Sequence, residues 1–312
     1  MLIAISTALL GLTAGALALV VLRAATGAGR ATLRLSRQTY VTRRVDQSVR
    51  GRALAMMGGS IRISMLIGPA LGGVLVDQAG FETAFVVAGL LALFGLVPLF
   101  VSTRDVEFVT EQARPKQGLL RTLNQHRRLL LKVAVVPFLI VASREARQVV
   151  FPLIGDDLNL SATAIGLLIA ASAAADLLLF PVAGYVMDRF GRLWGMTPSF
   201  VLTGIGQVGL GIAWGRGSVL LVVLAGLFIG IGNGLGSGSL LTLGSDVAPR
   251  EAAPEFLAGL GTLQEGGRVV GPLLVGVVAA GISLGAAAFA IALLLFVAAV
   301  WVTFVVGETK QT

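Results

Sequence analysis

Residues 184–192 read Gly184-Tyr-Val-Met-Asp-Arg-Phe-Gly-Arg192, a short charged turn between two long apolar runs. The run before it covers about residues 161–187, and the run after it covers about residues 193–214. Because about 20 apolar residues are enough to cross a bilayer, each run predicts a membrane-spanning helix. A turn this short holds two antiparallel helices side by side, and its Arg residues favour the cytoplasmic side of the membrane.

The composition of the chain indicates an integral membrane protein with several spans. Of its 312 residues, 56% are hydrophobic and only 13% are charged, whereas a soluble domain carries about 25% charged residues. The apolar runs are too continuous for the alternating pattern of a barrel strand, so they favour α-helices. The 41 Gly residues suit helices that approach closely in lipid. We therefore predict an all-α membrane fold.

Charge and rare residue types argue against several classes of protein. The net charge of +8 does not indicate nucleic-acid binding, because no basic run is interleaved with exposed aromatic residues. Cationic loops that set topology and touch anionic lipid explain the charge better. The chain has no Cys and only one His, His126, so we expect no metal site and no His-based triad. We predict that the protein is not an enzyme and has no bound cofactor.

The apolar runs divide the chain into nine full spans and one partial span. Met1 to about Thr13 is apolar but too short to cross a bilayer. The nine full spans cover about residues 15–40, 53–76, 83–101, 129–154, 161–187, 193–214, 218–243, 256–281 and 284–306.

The distribution of basic residues independently supports this topology. If successive spans cross the membrane in opposite directions, the loops on one side of the membrane carry nearly all the Lys and Arg outside the spans. The loops on the other side carry acids and a single basic residue, Arg216. The basic side is cytoplasmic, which predicts a multi-pass protein of the plasma membrane with a cytoplasmic C-terminus. The basic residues on that side are Arg43, Arg44, Arg50, Arg52, Arg104, Arg114, Lys116, Arg121, Arg127, Arg128, Lys132, Arg189, Arg192, Arg250 and Lys310.

The two halves of the chain are also related by an internal repeat. A shift of 203 residues places Gly68-Pro69-Ala-Leu-Gly-Gly73 on Gly271-Pro272-Leu-Leu-Val-Gly276. In the same frame Gly27 and Gly29 fall on Gly230 and Gly232. Two halves in the same orientation, joined by a polar cytoplasmic linker, are typical of membrane transporters.

Three stretches together resemble the major facilitator superfamily. Residues 184–192 match its G-x-x-x-D-R-x-G-R loop motif, although Leu193 stands where the family usually has a basic residue. Residues 68–73 resemble the Gly-Pro-x-x-Gly-Gly motif of the fifth helix, which occurs mostly in drug and metabolite exporters. Residues 22–29 resemble the Arg motif of the fourth helix more weakly.

The resemblance implies twelve helices in two pseudo-symmetric halves. This chain would hold about ten of them and would lack the first two, as an N-terminally truncated form. Residues 1–104 would then be an incomplete N-terminal bundle, residues 105–128 a cytoplasmic linker and residues 129–312 a complete six-helix bundle. In this family every third helix faces lipid, and the four corresponding segments here carry no internal charge.

Charged residues inside the spans are the candidates for solute binding. Placing a charge in hydrocarbon costs from about 2.5 to more than 10 kcal/mol, so such residues concentrate where a cavity hydrates or pairs them. On the fourth helix, four Arg residues line one helical face, which would form a positively charged cavity wall for an anionic group of a substrate: Arg23, Arg30, Arg34 and Arg37. The competing interpretation is that Arg34 and Arg37 snorkel to the cytoplasmic surface; for Arg23 and Arg30 we expect a role in function or a pair inside the protein. The candidate cavity residues are Arg23, Arg30, Arg144, Arg147, Asn233, Gln264 and Arg268.

Three acids inside the spans are candidates for proton coupling. A carboxyl group in a poorly hydrated site changes charge by binding or releasing a proton, as a coupled transporter requires. The leading candidates are Asp176 and Glu145, followed by Glu265. The competing interpretation is a static salt bridge of the first two with Arg144 or Arg147. Glu265 and Arg268 are i, i+3 neighbours and should pair locally.

The two glycine-containing motifs have conformational roles in the family. The resemblance implies a gating contact at the loop motif, with Asp188 near the positive end of another helix and both Arg residues on acids or lipid phosphates. The Gly-Pro motif would let helices bend and pack closely, and packing alone is the competing interpretation. The gating residues are Gly184, Asp188, Arg189, Gly191 and Arg192, and the packing residues are Gly68, Pro69, Gly72, Gly73, Gly271 and Pro272.

We therefore predict a monomeric secondary transporter that moves a small organic solute by alternating access, with export coupled to inward proton flow. Its partners would be the solute and membrane lipid, with no nucleic acid. Two alternatives remain open: a facilitator or importer of sugars or metabolites with the same fold, and a truncated membrane protein that does not transport.

Overall fold

The computed structural model describes residues 1–13, 15–45, 47–97 and 119–309, and these residues form helices without any strand. This confirms the prediction of an all-α fold. The helices are α1 (Leu2–Gly11), α2 (Ala16–Arg44), α3 (Gln47–Phe94), α4 (Leu119–Gln125), α5 (Arg127–Asp157), α6 (Ala162–Phe190), α7 (Arg192–Arg216), α8 (Val219–Leu235), α9 (Ser239–Val247), α10 (Ala253–Gly281) and α11 (Leu284–Trp301), followed by a π-helical turn at Val302–Val306.

The chain folds as two compact units. The first contains residues 1–112 together with 161–167, and the second contains residues 113–160 together with 168–312. The predicted boundary near residue 104 and most of the predicted linker lie outside the described residues. Where that linker is described, it contains α4.

In the first unit, α1 packs against both α2 and α3. Ser6 of α1 and Thr26 of α2 are buried, and their hydroxyl oxygens are 2.8 Å apart in a hydrogen bond. Gly89 of α3 lies against Ala8, where an added Cβ would come within 2.7 Å of the Ala8 side chain. Small residues thus allow the short α1 to lie close to its neighbours.

Helix α3 contains two of the predicted spans. The sequence predicts separate helices at about residues 53–76 and 83–101, but the structure keeps one helical stretch with a single non-helical residue, Gly80. Gly80 has φ 80° and ψ 167°, a conformation that is open to Gly because it lacks a Cβ. The predicted loop is therefore reduced to a sharp bend at one residue.

The second unit has two apolar clusters in its interior. One is built around Val150, Leu210, Ile229 and Ile291, and the other contains Met196 and Phe256. The clusters form where α7 packs on α8 and α11, and where α5 packs on α10 and α11. Helices α5, α7, α8, α10 and α11 therefore make up the core that positions the polar residues of this unit.

The predicted span at about residues 218–243 is not continuous. Helix α8 ends at Leu235 and α9 begins at Ser239, with the three residues between them outside a helix. Gly238 has φ 83° and Gly236 ends α8, so backbone freedom at Gly permits the interruption. The apolar pattern runs through this break, which is why the sequence did not predict it.

Five segments in the described part of the chain are long and apolar enough to cross a membrane. Two of them, in α2 and α3, belong to the first unit. Helices α5 and α10 are equally long but carry more internal charge, and α8 has only 17 residues. The five segments are Ala16–Arg34, Met56–Phe94, Ala162–Phe190, Arg192–Arg216 and Leu284–Val306.

Candidate transport and gating sites

A polar contact between α6 and α8 lies inside the second unit. The Asn233 side-chain amide donates a hydrogen bond to Asp176 Oδ2 at 2.5 Å, and the Ser237 hydroxyl donates to Asp176 Oδ1 at 3.4 Å. Asp176 and Asn233 are both half-buried, whereas Ser237 is buried. The structure therefore brings together two predicted site residues, Asp176 and Asn233, and adds Ser237.

Glycines on two faces of α8 explain why these groups meet. An added Cβ on Gly230 would overlap the carbonyl oxygen of Ser172, and one on Gly234 would come within 2.8 Å of the Asp176 carbonyl. On the other face, Gly232 and Gly236 lie against α7 in the same way. Alternate Gly residues thus bring α8 close to both neighbours.

A second polar group links α5 and α10 through Arg268. Its Nη1 is 2.9 Å from Glu145 Oε1 and its Nε is 2.9 Å from Glu265 Oε2. The pair with Glu265 follows from the i, i+3 spacing. The contact with Glu145 corrects the predicted salt-bridge partner, because the carboxylate binds Arg268 on a different helix rather than Arg144 or Arg147. Both acids therefore share one guanidinium group.

Two predicted cavity residues, Arg144 and Arg147, line a small space inside the second unit. This inner cavity has a volume of about 20 Å³ and lies between α5, α7, α8 and α11. Sites for small organic molecules are about 300–1,000 Å³, so it is far too small for such a solute. Its lining residues are Ile140, Ser143, Arg144, Arg147, Ser199, Phe200, Thr203, Asn233 and Leu295.

Sequence reasoning missed the hydroxyl residues of α7. Ser199 and Thr203 lie one turn apart on the helix and both line the inner cavity. Gln207, one further turn along, is completely buried, and both polar atoms of its amide lack a hydrogen-bond partner within the described residues. The spacing of four residues between these polar side chains is a detectable signal, since it places them on one helical face.

Of the other predicted cavity residues, two belong to the first unit and Gln264 belongs to the second. Arg23 and Arg30 are exposed residues of the first unit, and the Arg23 guanidinium lies 6.0 Å from the centre of the Phe85 ring. Gln264 is half-buried on α10 and does not line the inner cavity.

The loop motif forms a compact network with the end of the chain. Arg192 Nε donates to Asp246 Oδ2 at 2.9 Å and its Nη1 donates to Asp188 Oδ1 at 3.0 Å. The hydrogen bond that Arg192 donates to Asp246, and after it the one that it donates to Asp188, raise the pKa of the Arg192 guanidinium above its ordinary value. The carboxylate of Glu308 accepts hydrogen bonds from the backbone N–H groups of Arg192 and Leu193, at 2.8 and 3.1 Å.

Gly191 allows this network to close. Its φ of 108° is rarely adopted by residues with a Cβ, and an added Cβ would lie 2.5 Å from Glu308 Oε2. Glu308 thereby caps the positive N-terminal end of α7. Thr309 also reaches Asp246, with 3.5 Å between its hydroxyl oxygen and Oδ2.

Arg189 contacts two aromatic side chains. Its Nη1 donates to the Tyr185 hydroxyl at 2.7 Å, and its guanidinium lies 5.8 Å and 5.7 Å from the ring centres of Tyr185 and Phe190. Within the described residues Arg189 therefore contacts aromatic side chains and not an acid, and the predicted contact with lipid phosphates stays a prediction. Gly184, in contrast, is surrounded by open space on the side where a Cβ would stand.

The Gly-Pro motif lies against the beginning of α6. An added Cβ on Gly73 would overlap the Ala162 carbonyl oxygen, and one on Gly166 would overlap the Pro69 carbonyl oxygen. An added Cβ on Gly68 or Gly72 would meet open space within the described structure.

Asp77 secures the same crossing, because its carboxylate accepts from the backbone N–H groups of Ala162 and Thr163 at 3.0 and 2.7 Å. The hydrogen bond from the Thr163 side chain is the largest of the effects that lower the pKa of Asp77, followed by that from the Thr163 backbone.

The repeated copy of the motif lies on α10. An added Cβ on Gly271 would overlap the carbonyl oxygen of Ala142 in α5. Pro272 lies inside α10, which continues to Gly281 without interruption. Among the described residues no group of three or more His, Cys, Asp or Glu side chains is placed to hold a metal ion.

The apolar helices, the charged groups inside them and the charged turn between α6 and α7 define a polytopic helical membrane protein. The sequence matches the Major Facilitator Superfamily over residues 1–144 and 133–312. The chain therefore belongs to the Major Facilitator Superfamily, a family of transporters and not of enzymes.

Two curated bacterial proteins are similar to the chain. A homologue of the multi-drug resistance efflux pump PmrA from Lactococcus lactis is 26% identical over 262 residues, which cover 80% of this chain and 62% of the relative. The chain thus spans about three-fifths of that relative's length. An uncharacterised MFS-type transporter of Mycobacterium tuberculosis is 34% identical over 87 residues, which cover 28% of this chain and 15% of that protein.

A solved structure supports the fold. The crystal structure of a bacterial homologue of the human lysosomal transporter Spinster, in an inward-facing and unoccupied conformation, has a TM-score of 0.71 to this chain. The match covers 96% of this chain and 80% of the other, at 14% sequence identity.

Proposed function

We propose that the protein is a secondary active transporter that exports a small organic solute by alternating access, in exchange for protons. Family membership supports transport of a solute. The similarity to a multi-drug efflux pump homologue supports export. We further propose that it acts in the plasma membrane as a monomer, with its C-terminus in the cytoplasm, in agreement with the basic residues of that side.

The observation that carries proton coupling is the contact of Asp176 with Asn233 and Ser237. Two hydrogen bonds to Asp176 come from neutral donors, the Asn233 amide and the Ser237 hydroxyl. Binding of a proton would remove the charge of the carboxylate and change its contact with α8. A change of charge at a helix–helix contact is the kind of local event that biases a two-state transporter.

Glu145 and Glu265 are the second choice for coupling. Because they share Arg268, protonation of one leaves the other paired with the guanidinium group. Loss of the Glu145 charge would release the link between α5 and α10 while Arg268 stays paired with Glu265. We therefore assign Asp176 the leading role and these two acids a supporting one.

Transport in proteoliposomes tests this proposal. We would reconstitute the protein and follow a cationic dye, ethidium, and an anionic dye, carboxyfluorescein, with and without an imposed pH gradient. The expected result for the wild type is accumulation of a dye that depends on the gradient. Asp176→Asn should lower gradient-driven transport at least tenfold while keeping exchange of the same dye between equilibrated compartments.

Asp156→Asn is the matched control, because Asp156 lies exposed at the end of α5 and is not part of either polar group. It should transport like the wild type. Equal transport with and without a gradient in the wild type would instead indicate a facilitator. Unchanged gradient dependence in Asp176→Asn would remove this residue as the coupling site.

A further inference from the structure

The second unit carries a concentration of positive charge where α4 turns into α5. No Asp or Glu occurs in the sequence between Glu111 and Glu145. In the described part of this stretch, four exposed basic residues form no ion pair with any carboxylate of the described residues. They are Arg121, Arg127, Arg128 and Lys132. Charges of one sign without a nearby carboxylate attract a partner of the opposite sign.

An open groove lies at this turn, beside the basic residues. Its volume is about 490 Å³, within the range of about 300–1,000 Å³ that is typical of sites for small organic groups. None of its lining residues is acidic, and we call it the α4–α5 groove. The lining residues are Asn124, Gln125, His126, Arg127, Arg128 and Leu129. Two guanidinium groups and two side-chain amides thus face one open space.

An exposed apolar surface begins one helical turn below the groove. Leu131 lies on the same face of α5 as Arg127 and Arg128, because it follows them by four and three residues, and its side chain is 59% exposed. The Trp301 indole N–H donates to the Lys132 carbonyl at 2.9 Å, and Trp concentrates at the boundary between membrane and water. A ligand of the groove therefore meets positive charge at one end and apolar surface at the other, as a phospholipid does.

The groups of the groove also distinguish between phospholipid headgroups. Guanidinium groups match the oxygens of a phosphate with paired hydrogen bonds. The amides of Asn124 and Gln125 both donate and accept, so they suit the hydroxyl groups of a glycerol headgroup. A choline or ethanolamine headgroup carries a positive charge, for which the groove offers no carboxylate.

We propose that the α4–α5 groove binds one anionic phospholipid of the phosphatidylglycerol class. The phosphodiester contacts Arg127 and Arg128, the glycerol hydroxyls contact the two amides, and an acyl chain lies along Leu131. In the proposed topology this lipid belongs to the cytoplasmic leaflet, whose anionic lipids attract basic segments next to a membrane span.

Native mass spectrometry of the delipidated protein in detergent measures this binding. Titration with dioleoyl-phosphatidylglycerol should give a saturable adduct of one lipid, and phosphatidylethanolamine should bind at least about fivefold more weakly. Equal binding of the two lipids would overturn the proposal. Equal binding of phosphatidylserine, which is anionic but has no glycerol headgroup, would overturn the choice of headgroup.

A pair of single substitutions locates the site. Arg128→Gln should weaken binding of phosphatidylglycerol about fivefold, the contribution of one basic residue at a lipid surface. Arg250→Gln is the matched control, because it removes the same charge at an exposed Arg on the same predicted side and outside the groove. It should bind the lipid like the wild type. Equal weakening in both variants would mean attraction to the net charge alone and would overturn the site.

Inorganic phosphate separates a lipid site from a site for a free anion. Added in excess over the lipid, it should leave the phosphatidylglycerol adduct in place, because it lacks the glycerol and acyl contacts. Displacement of the lipid by phosphate would show a site for the free anion and would overturn the proposal. None of these measurements depends on transport of a solute, so the proposed export function is tested independently.

Discussion

At the scale of single residues, Gly191 joins the motif between α6 and α7 to the end of the chain. Its φ is positive, and the Glu308 carboxylate occupies the side where a Cβ would stand. The loop motif pointed to Gly191 and Arg192, but no local pattern linked them to Glu308, which lies more than one hundred residues away. Contacts of this kind depend on the fold and not on spacing.

Substitution of Gly191 tests this network. Gly191→Ala should destabilise the protein by about 1–3 kcal/mol, because the new Cβ meets both an unfavourable φ and the Glu308 carboxylate. The measurement is Tm from Trp fluorescence in detergent.

The matched control is Gly184→Ala in the same motif. Gly184 lies within α6 with open space around it, so this change should be neutral or slightly stabilising. Equal losses of stability in both variants would show that the contact with Glu308 is not the reason for Gly191.

The candidate site was only partly predictable at this scale. Asp176, Asn233, Arg144 and Arg147 stand out in the sequence because charged and amide groups are rare in apolar helices. The hydroxyl residues of the inner cavity are marked in the sequence only by their four-residue spacing on α7. By themselves Ser and Thr are weak signals, because their hydroxyls can bond backbone carbonyls of their own helix, as Thr203 does with Ser199. Their position beside Arg147 follows only from packing.

At the scale of helices, the close contact between α3 and the beginning of α6 is made by one side of the Gly-Pro motif, at Gly73. Gly73→Ala should destabilise the protein by about 1–3 kcal/mol, because its Cβ would overlap backbone that cannot move away without separating the helices. In Gly72→Ala, one residue earlier, the new Cβ would meet open space, so this control variant should be neutral or stabilising.

Thermal unfolding of the two variants side by side measures the difference in stability. Similar Tm values would contradict the close contact at Gly73.

The cap that Asp77 forms on α6 gives the same crossing a dependence on pH. The folded-state pKa of Asp77 lies below its ordinary value of 3.8. The stabilisation it provides is therefore complete above the ordinary pKa and is lost as the pH falls through the lower, folded-state value.

Asp77→Asn should consequently lower Tm most near pH 7, and the difference from the wild type should shrink below about pH 4. Scans of Tm from pH 7 to pH 3 measure this, with Asp156→Asn as the control carboxylate. A difference that stays constant across the scan would mean that the charge of Asp77 does not contribute.

The sequence pattern located most helices, but it predicted a loop where α3 has only a bend and a continuous span where α8 and α9 are separate. Runs of apolar residues define where a helix is stable in lipid, and they say little about where the backbone bends. Gly80 joins two predicted spans into α3, and the three residues at 236–238 divide another span into α8 and α9. Both events depend on the freedom of Gly at positive φ, which an apolar run does not reveal.

At the scale of the whole molecule, the distribution of basic residues predicts which loops face the cytoplasm. The chain has no Cys, so single introduced Cys residues can be labelled selectively. Asp156→Cys, in a predicted outer loop, should react with a membrane-impermeant maleimide in intact cells. Glu251→Cys, in a predicted cytoplasmic loop, should react only after the membrane is permeabilised. The reverse pattern would invert the proposed topology.

The position of Glu308 has a practical consequence for anyone who expresses this protein. Because its carboxylate caps α7, an affinity tag inserted directly after Thr309 would crowd that cap. A flexible Gly/Ser spacer would keep the tag at a distance. A shortened gene that stops at Val306 would remove the cap entirely, and lower yields from such a clone would follow from this missing carboxylate.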